Sequence, residues 1–281
     1  PNFVVGGELL DEGVGARWTG AEWTIVEADE SDGTHLELPL SATILTNIDS
    51  DHLDHYGDLQ GITNSFQKYV LGIDGPVVMC VDDPTIAGLV RPQQCVTYGF
   101  SNDARFRCHS VESSNGLTSF AISKTDETSD VVNMTVQMSL RGRHNVLNVT
   151  AAIAMAVSCG VDPQVAVSAV AKFGGVGRRF EIIGEVDDIT FVDDYAHLPA
   201  EISTTIDAVR SHPALTGRVV AVFQPNRYHR ISTMADSYAD CFTQADRIVI
   251  TDVYASGTQK IDGVTGELVV DAIRRAHQNA D

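Results

Sequence analysis

Two runs of β-branched residues pass directly into clusters of carboxylates, amides and histidines. They are TIVEADESDG, residues 24–33, and TILTNIDSDHLDHYG, residues 43–57. In an α/β protein such clusters fall at the carboxyl ends of parallel strands, where ligands usually bind. The two runs therefore predict a parallel sheet flanked by helices, with both clusters at one rim. The acidic and imidazole residues at this rim are Glu27, Asp29, Glu30, Asp32, Asp49, Asp51, His52, Asp54 and His55.

So many carboxylates at one rim repel one another unless a cation or protons neutralise them. The cluster therefore indicates a divalent metal and, through it, a phosphorylated substrate. Glu27 and His52 are candidates to share the ion, although Mg²⁺ prefers oxygen ligands to imidazole. The alternative is that His52 caps the helix that begins near Leu53 while Glu27 is simply solvated.

The order of strand-like and helix-like segments predicts an α/β chain of two domains. Short β-branched runs alternate with a helical pattern over residues 20–100, and three strand-like runs over 104–140 predict an antiparallel insertion. The glycine-rich residues 174–177 are either a hinge or an ordinary turn. Three further strand signals, separated by helix-like stretches near 201–210 and 232–243, predict a doubly wound, Rossmann-like second domain. The expected boundaries are 1–175 and 176–281.

Composition restricts the class of partner. The 281 residues carry 19 basic and 38 acidic side chains, so the formal charge is 19 − 38 = −19, which argues against a nucleic-acid partner. The five scattered cysteines are typical of reduced thiols in a cytosol. Neither a signal peptide nor an apolar run of about 18 residues is present, so we expect a cytoplasmic protein without membrane insertion. Assembly into an oligomer is compatible with the sequence.

Two further motifs contain side chains suited to a nucleotide. In GRHNVLN, His144, Asn145 and Asn148 stand at the start of a predicted helix, and side-chain amides match the donor–acceptor edge of a base. Capping of that helix by Asn145 is the favoured alternative for this motif taken alone. The adjacent Arg178 and Arg179 suit phosphate binding. The alternative is a surface ion pair with Glu181 or Glu185.

Polar residues also follow two strand signals of the second domain. In VDDYAHLP, the carboxylates of Asp193 and Asp194 suit ribose hydroxyls or a metal, with helix capping as the alternative. In FQPNRYHR, Arg227 and Arg230 suit a substrate carboxylate or phosphate, and a solvated basic loop is the alternative. A phosphate-binding loop of the form G-x-x-x-x-G-K-[ST] does not occur in the sequence.

Together the strings EADESDG, TNIDSDHLDHYG, GRHNVLN, GVGRRFE, VDDYAHLP, FQPNRYHR and DVYASG resemble the Mur ligase family, in the family's order. The first motif is most similar to that of the alanine-adding members. The resemblance implies a central ATPase-type domain followed by a Rossmann-like ligase domain. It also implies that the N-terminal domain, the phosphate-binding loop and the last C-terminal elements are missing, so that the piece alone is inactive.

The resemblance implies ATP-dependent ligation of L-alanine to UDP-N-acetylmuramate through an acyl phosphate, with Mg²⁺, in peptidoglycan precursor synthesis. The implied positions are the metal ligands Glu27 and His52, with Glu30 as the alternative to Glu27; the adenine contacts His144, Asn145 and Asn148; the phosphate contacts Arg178 and Arg179; the ribose contact Asp194; and the substrate contacts Tyr195, His197, Arg227 and Arg230. Glu27, His52, His197 and Arg227 are the implied catalytic residues.

Three departures from the family pattern fall in the second domain. Leu198 and Asn226 stand where histidine is usual, and DVYASGTQ lacks the glutamate that often follows its glycine. The alternatives are another amide ligase of the superfamily, of the murein peptide ligase or folylpolyglutamate synthetase type, and a non-catalytic nucleotide-binding fragment. EADESDG argues against the first two.

Overall fold

The computed structural model describes residues 1–114, 116–125, 131–212 and 214–277, without the side chains of Leu53, Asp54 and Val131. The chain divides into two compact units, Pro1–Val176 and Gly177–Asp281. Two sequence predictions lie partly outside the described residues: the side chain of Asp54 in the acidic rim, and the strand-like segment 104–140, of which residues 115 and 126–130 are not described.

The first unit begins with a three-stranded sheet. Its strands are β1 (Asn2–Leu9), β2 (Val14–Arg17) and β3 (Thr24–Val26), in the order β2-β1-β3. β1 runs antiparallel to β2 and parallel to β3. The Asn2 side chain donates hydrogen bonds to the Ala21 carbonyl oxygen (2.9 Å) and to the Thr24 hydroxyl (3.0 Å), and these bonds help to fix the pairing of β1 with β3.

A sheet of six strands forms the body of the first unit. After a 3-10 turn (Thr34–Glu37), the elements are β4 (Thr43–Leu45), α1 (Leu53–Tyr56), α2 (Leu59–Leu71), β5 (Val77–Cys80), α3 (Pro84–Ala87), β6 (Cys95–Gly99), β7 (Phe106–Ser114), β8 (Leu117–Thr125), β9 (Val131–Met138), α4 (Arg143–Ser158) and α5 (Pro163–Val170). The strand order is β4-β5-β6-β7-β8-β9. Neighbours from β4 to β7 are parallel, and β7, β8 and β9 are antiparallel. The predicted parallel, helix-flanked sheet and the antiparallel insertion are confirmed.

One expectation about this sheet is wrong. β3 pairs with β1 and is not part of the six-stranded sheet, so the two polar clusters do not follow neighbouring strands. The physical reason is that the apolar residues of β1 supply a parallel partner for β3, whereas β4 pairs only with β5 within the described residues. Any approach of the two clusters therefore depends on the loops.

β5 lies at the centre of the first unit's core. Its four residues, Val77–Cys80, are all buried, which is typical of a parallel strand covered on both faces. Ile62 and Val70 of α2 belong to the same buried cluster, as do Val146 and Ile153 of α4. This packing holds α2 and α4 against the sheet, and with them the residues that precede each helix.

Helix α5 is short and capped at its start by Asp162. The Asp162 carboxylate accepts N–H groups from Gln164 (2.8 Å) and Val165 (3.3 Å), and Pro163 is the first helical residue. The helix ends at Val170, and further along the chain the Gly174 N–H donates to the Asp11 carboxylate (2.5 Å).

The second unit contains two short sheets. Its elements are β10 (Glu181–Val186), β11 (Ile189–Asp193), α6 (Pro199–Arg210), β12 (Val220–Phe223), α7 (Tyr228–Met234), a 3-10 turn (Ala235–Tyr238), β13 (Arg247–Ile250) and α8 (Glu267–Ala276). β10 and β11 are antiparallel, whereas β12 and β13 are parallel and joined through α7. The mixed α/β class is confirmed.

The second unit differs from the sequence prediction in its strand pairing. β11 pairs with β10, a strand that the sequence did not predict. In the part of the chain that the structure describes, β11 does not pair with β12, and a cavity of about 670 Å³ lies between these two strands. Asp187 and Asp188 both have positive φ (50° and 62°), as the turn of a tight hairpin requires. The helix expected near 232–243 is instead α7 followed by the 3-10 turn. A single three-stranded sheet is therefore not formed by the described residues.

Among the helices that the structure describes, none is both long enough and apolar enough to cross a membrane. All five cysteines are free thiols.

His35 anchors the loop of the first polar cluster to helix α2. Its ring is 1% exposed, with its centroid 5.2 Å from that of Phe66 and 5.0 Å from that of Tyr69. Nδ1 of His35 has no hydrogen-bond partner, and burial lowers the pKa of the imidazole below its ordinary value. The anchor is therefore a neutral histidine.

Gly61 allows α2 to pack closely against the end of α1. A Cβ atom at Gly61 would lie 2.1 Å from the Tyr56 carbonyl oxygen. Since the Tyr56 hydroxyl donates a hydrogen bond to the Glu30 carbonyl oxygen, this close approach also holds the first polar cluster in place.

We expect Gly61→Ala to destabilise the chain by about 1–3 kcal/mol, because the methyl group overpacks against backbone. In an unconstrained helix the same change would stabilise by about 1 kcal/mol. Gly72→Ala is the matched control, since its Cβ would meet the Tyr69 carbonyl oxygen at an ordinary 3.5 Å. Urea unfolding measures both. Equal stability of the two variants would show that the contact at Gly61 is not tight.

We expect His35→Phe to remove a pH dependence of stability. Below about pH 6.5 the unfolded chain binds a proton at His35 that the folded chain resists, so wild-type stability falls as the pH falls. The variant should therefore gain on the wild type by up to about 1.4 kcal/mol per pH unit between pH 7 and 5.

His35→Gln is the control for this prediction, because it keeps a buried polar group that does not titrate. Its stability should also rise relative to the wild type as the pH falls from about 7 to 5, because it removes the same titrating group. Parallel pH profiles for the wild type and both variants would contradict the role of His35.

Candidate functional site

Carboxylates of the first polar cluster shape its loop by accepting backbone N–H groups. The Asp29 carboxylate accepts from Ser31 (2.8 Å) and the Asp32 carboxylate from Thr34 (3.0 Å). The bond from the Ser31 N–H lowers the pKa of Asp29, and bonds from the Thr34 hydroxyl and N–H lower the pKa of Asp32. These two acids are therefore ionised parts of the loop structure.

The two polar clusters meet at His52. Its Nε2 atom lies 3.4 Å from Glu30 Oε1 and 3.4 Å from Asp51 Oδ2. The hydrogen bond with His52 lowers the pKa of Glu30, so this carboxylate is ionised at neutral pH. His52 has a positive φ of 53°, and its carbonyl oxygen accepts the N–H groups of His55 (2.9 Å) and Tyr56 (3.1 Å).

The structure brings Glu30, rather than Glu27, beside His52. The exposed Glu27 follows the end of β3, and its Oε2 atom accepts the Gly6 N–H of β1 at 2.6 Å. No ion pair within 4.0 Å joins Glu27 to His52 among the described residues. Glu27 is thus oriented by backbone, and His52 is oriented by two carboxylates.

These residues fit a hard divalent cation that keeps much of its own water. No group of three or more His, Cys, Asp and Glu side chains in the described part of the chain has metal-binding geometry. Mg²⁺ usually takes only one or two carboxylates from a protein, with water and phosphate oxygens completing the shell. A carboxylate held by an N–H and an imidazole held by carboxylates are arrangements common around metal ligands.

Helix α4 places the GRHNVLN residues in its first two turns. The Asn145 side chain donates to the Arg141 carbonyl oxygen (2.7 Å), and the Asn148 side chain donates to Asn145 Oδ1 (3.4 Å). The residue before the helix is Gly142, so Asn145 is not the N-cap, and that alternative is wrong. Asn148 is exposed, while His144 is half-buried.

Two side chains that the sequence reading overlooked lie beside this helix start. The Arg143 guanidinium carbon is 3.3 Å from the centroid of the Phe100 ring, which follows the end of β6. Asp82, which follows β5, accepts the Phe100 N–H (2.7 Å) and the Ser101 N–H (2.9 Å). The Asp82-Asp83 pair after a strand-like run was the one available sequence signal for this corner.

In the second unit, the Tyr195 ring lies close to both arginines of the predicted phosphate site. The guanidinium carbons of Arg178 and Arg179 lie 5.1 and 5.6 Å from the centroid of the Tyr195 ring. Arg178 Nε is 3.5 Å from Asp193 Oδ2. The alternative, an ion pair with Glu181 or Glu185, is not formed by these guanidinium groups, and the Glu181 carboxylate accepts the Arg178 backbone N–H instead.

Asp194 ties the start of β10 to the end of β11. One carboxylate oxygen accepts the Phe180 N–H (2.7 Å) and the other accepts the Ala196 N–H (2.8 Å). The Tyr195 N–H donates to the Arg178 carbonyl oxygen (2.8 Å) in the same corner. Asp194 therefore positions the loop that carries Tyr195, and its ribose-binding role stays a prediction.

His197 is held in one orientation at the start of α6. Its Nδ1 atom lies 3.0 Å from the Tyr195 carbonyl oxygen, a contact that assigns the proton to Nδ1. Its carbonyl oxygen accepts the Tyr238 hydroxyl (2.7 Å). The Glu201 carboxylate accepts the N–H groups of His197 and Leu198, so the start of α6 is capped by Glu201 and not by Asp193 or Asp194.

Arg227 and Arg230 differ in exposure. Arg227 has a positive φ of 63°, and its N–H donates to the Tyr254 carbonyl oxygen (2.9 Å), which extends the pairing of β12 with β13. Arg230, on α7, is 7% exposed. The contacts of both arginines with substrate stay predictions.

Two protein-family models match the chain. The Mur ligase middle domain matches residues 16–156, and the Mur ligase glutamate ligase domain matches residues 178–281. The chain is 38% identical to the UDP-N-acetylmuramate–L-alanine ligase of Sinorhizobium fredii, covering 100% of this chain and 61% of that protein. It thus spans about three fifths of the length of the curated relatives that it matches.

Solved structures show the same fold. The UDP-N-acetylmuramate–alanine ligase of Thermotoga maritima superposes with a TM-score of 0.76 at 26% identity, covering 100% of this chain and 59% of that one. The MurF ligase of Thermotoga maritima in complex with ADP gives a TM-score of 0.68 at 16% identity, covering 98% of this chain and 73% of that one. The middle-domain match spans half of the chain, so the chain belongs to the Mur ligase family.

Proposed function

We propose that the full-length protein joins L-alanine to UDP-N-acetylmuramate, with ATP as the energy source, in peptidoglycan precursor synthesis in the cytoplasm. The observation that carries this proposal is 38% identity, across the whole chain, to a UDP-N-acetylmuramate–L-alanine ligase. The TM-score of 0.76 to a second ligase of that name supports it.

The proposed reaction has two steps. An oxygen of the muramyl carboxylate attacks the γ-phosphorus of ATP, and ADP leaves with the electrons of the broken P–O bond. The amine of L-alanine then attacks the acyl carbon, loses a proton and expels inorganic phosphate. Both steps depend mainly on neutralising and positioning phosphate charge. The ADP bound to the MurF ligase of Thermotoga maritima supports an adenine nucleotide as cofactor.

In this proposal Glu27 and His52 would hold Mg²⁺, which when bound would neutralise the charge of the phosphates. Glu30 and Asp51 keep the imidazole of His52 in place through Nε2. The Gly6 N–H orients the Glu27 carboxylate. Glu30 thereby becomes a positioning residue, although it was the alternative ligand in the sequence reading.

The remaining predicted residues take the roles that the family implies. His144, Asn145 and Asn148 contact adenine, Arg178 and Arg179 contact the nucleotide phosphates, and Asp194 contacts ribose. Tyr195, His197, Arg227 and Arg230 contact the acceptor or donor substrates, with His197 and Arg227 nearest the reacting groups. The clustering of Arg178 and Arg179 on Tyr195 supports a shared anion site.

The substrate assignment predicts that phosphate release needs both organic substrates. The full-length protein with ATP, Mg²⁺ and UDP-N-acetylmuramate should release phosphate when L-alanine is added, and more slowly with glycine or L-serine. A coupled phosphate assay with each amino acid in turn measures this. Equal rates with all three would contradict the alanine assignment, and no rate with any of them would contradict the ligase assignment.

The metal assignment predicts a graded effect of three substitutions, of which Glu27→Gln and Glu30→Gln are the matched pair. Glu27→Gln and His52→Ala should each lower turnover by roughly 10³-fold, because a ligand is lost. Glu30→Gln should lower it only about 10-fold and raise the Mg²⁺ concentration for half-maximal rate about 10-fold, because only the orientation of His52 is lost. Circular dichroism checks that the variants fold. A mild Glu27→Gln with a severe Glu30→Gln would reverse the two roles.

A further inference from the structure

We propose that Arg143 stacked on Phe100 forms a platform for the adenine ring, so that stacking accompanies the amide contacts of Asn145 and Asn148. This inference rests on the proposed function and adds two residues to its nucleotide site. The main observation behind it is that the Arg143 guanidinium carbon lies 3.3 Å from the centroid of the Phe100 ring. Nucleobases commonly stack on guanidinium planes and on aromatic rings, largely independently of sequence.

The platform is rigid because backbone bonds hold Phe100 in place. Asp82 accepts the N–H groups of Phe100 and Ser101, and Arg107 Nε donates to the Phe100 carbonyl oxygen (3.3 Å). Gly99 permits this arrangement, since a Cβ there would lie 2.5 Å from Asp82 Oδ1. A fixed surface loses little conformational freedom when a ligand binds.

The charge of Arg143 is not used elsewhere in the described part of the chain. No carboxylate there lies within 4.0 Å of its guanidinium group, although the whole sequence carries a formal charge of −19. The residue is exposed.

The platform lies at the start of α4, where the proposed function places the adenine ring. Arg143 is the first residue of α4, and Phe100 follows the carboxyl end of β6. Asn148 lies five residues further along α4 and is exposed, and it donates to Asn145 through its side-chain nitrogen, so its Oδ1 atom is left for the exocyclic amine of adenine. In the proposal Arg143 stacks on the face of the ring and Asn148 reads its edge.

The competing explanation is structural: Arg143 and Phe100 simply fasten α4 to the loop after β6. The two explanations differ in what they say about the base. A stacking platform contributes to binding of nucleosides but not of inorganic polyphosphate, whereas a fastening contact contributes to stability alone. A third role for Arg143, direct contact with phosphate, would weaken both ligands together.

The test measures the affinity of the full-length protein for Mg²⁺-ADP and for Mg²⁺-tripolyphosphate by titration calorimetry. Arg143→Ala, Arg143→Lys and Phe100→Leu should each weaken ADP binding about 10- to 100-fold and leave tripolyphosphate binding within about twofold. Arg105→Ala, from the opposite end of the sheet, is the control and should change neither.

The outcomes separate the platform from the proposed function. Unchanged ADP affinity in the variants, or equal loss of ADP and tripolyphosphate affinity, overturns the platform while leaving the ligase assignment intact. No saturable ADP binding by the wild-type protein overturns the nucleotide site itself and the platform with it. Loss of ADP affinity alone, with an unchanged melting temperature in Arg143→Lys, supports the platform.

Discussion

Hydrogen bonds from backbone N–H groups to carboxylates at strand ends hold the candidate site of this acidic chain together. Asp83 accepts from Ile86 (2.7 Å) and Ile48 (3.4 Å), which joins the residues after β5 to those after β4. Asp82 fixes the segment after β6 in the same way, and Asp194 fixes the corner of the second unit. Acids that would otherwise repel one another thereby become structural, and only a few are left for a cation.

The division between structural and available acids explains the proposed chemistry. In the first polar cluster Asp29 and Asp32 close turns, Glu30 holds His52, and Glu27 stands at the strand end with one oxygen on Gly6. A cation site formed in this way has few protein ligands, which suits Mg²⁺ bound mainly through phosphate oxygens and water. Asp194 is likewise a structural acid, because its carboxylate positions Tyr195 and the two arginines beside that ring.

Local patterns were sufficient to predict much of the first unit. Short β-branched runs over residues 20–100 predicted β4, β5 and β6, because this signal acts within a few residues. The pairing of β3 with β1 was not predictable, because it joins separate segments of the chain. The hairpin at Asp187-Asp188 was not predictable for another reason: its turn needs positive φ, and neither residue is glycine. The Glu30–His52 contact and the Phe100–Arg143 stack were also not predicted from the sequence, because each joins segments more than twenty residues apart.

The proposed chemistry depends most on which carboxylate holds the metal. Crystals of the full-length protein soaked with Mn²⁺ and ADP would locate the ion by its anomalous scattering. If Glu27 and His52 are the ligands, the peak should lie within about 2.5 Å of a Glu27 oxygen and of a ring nitrogen of His52, with Glu30 beside that ring but not bound to the ion. A peak bound to Glu30, with Glu27 still engaged only by the Gly6 N–H, would contradict the assignment of Glu27.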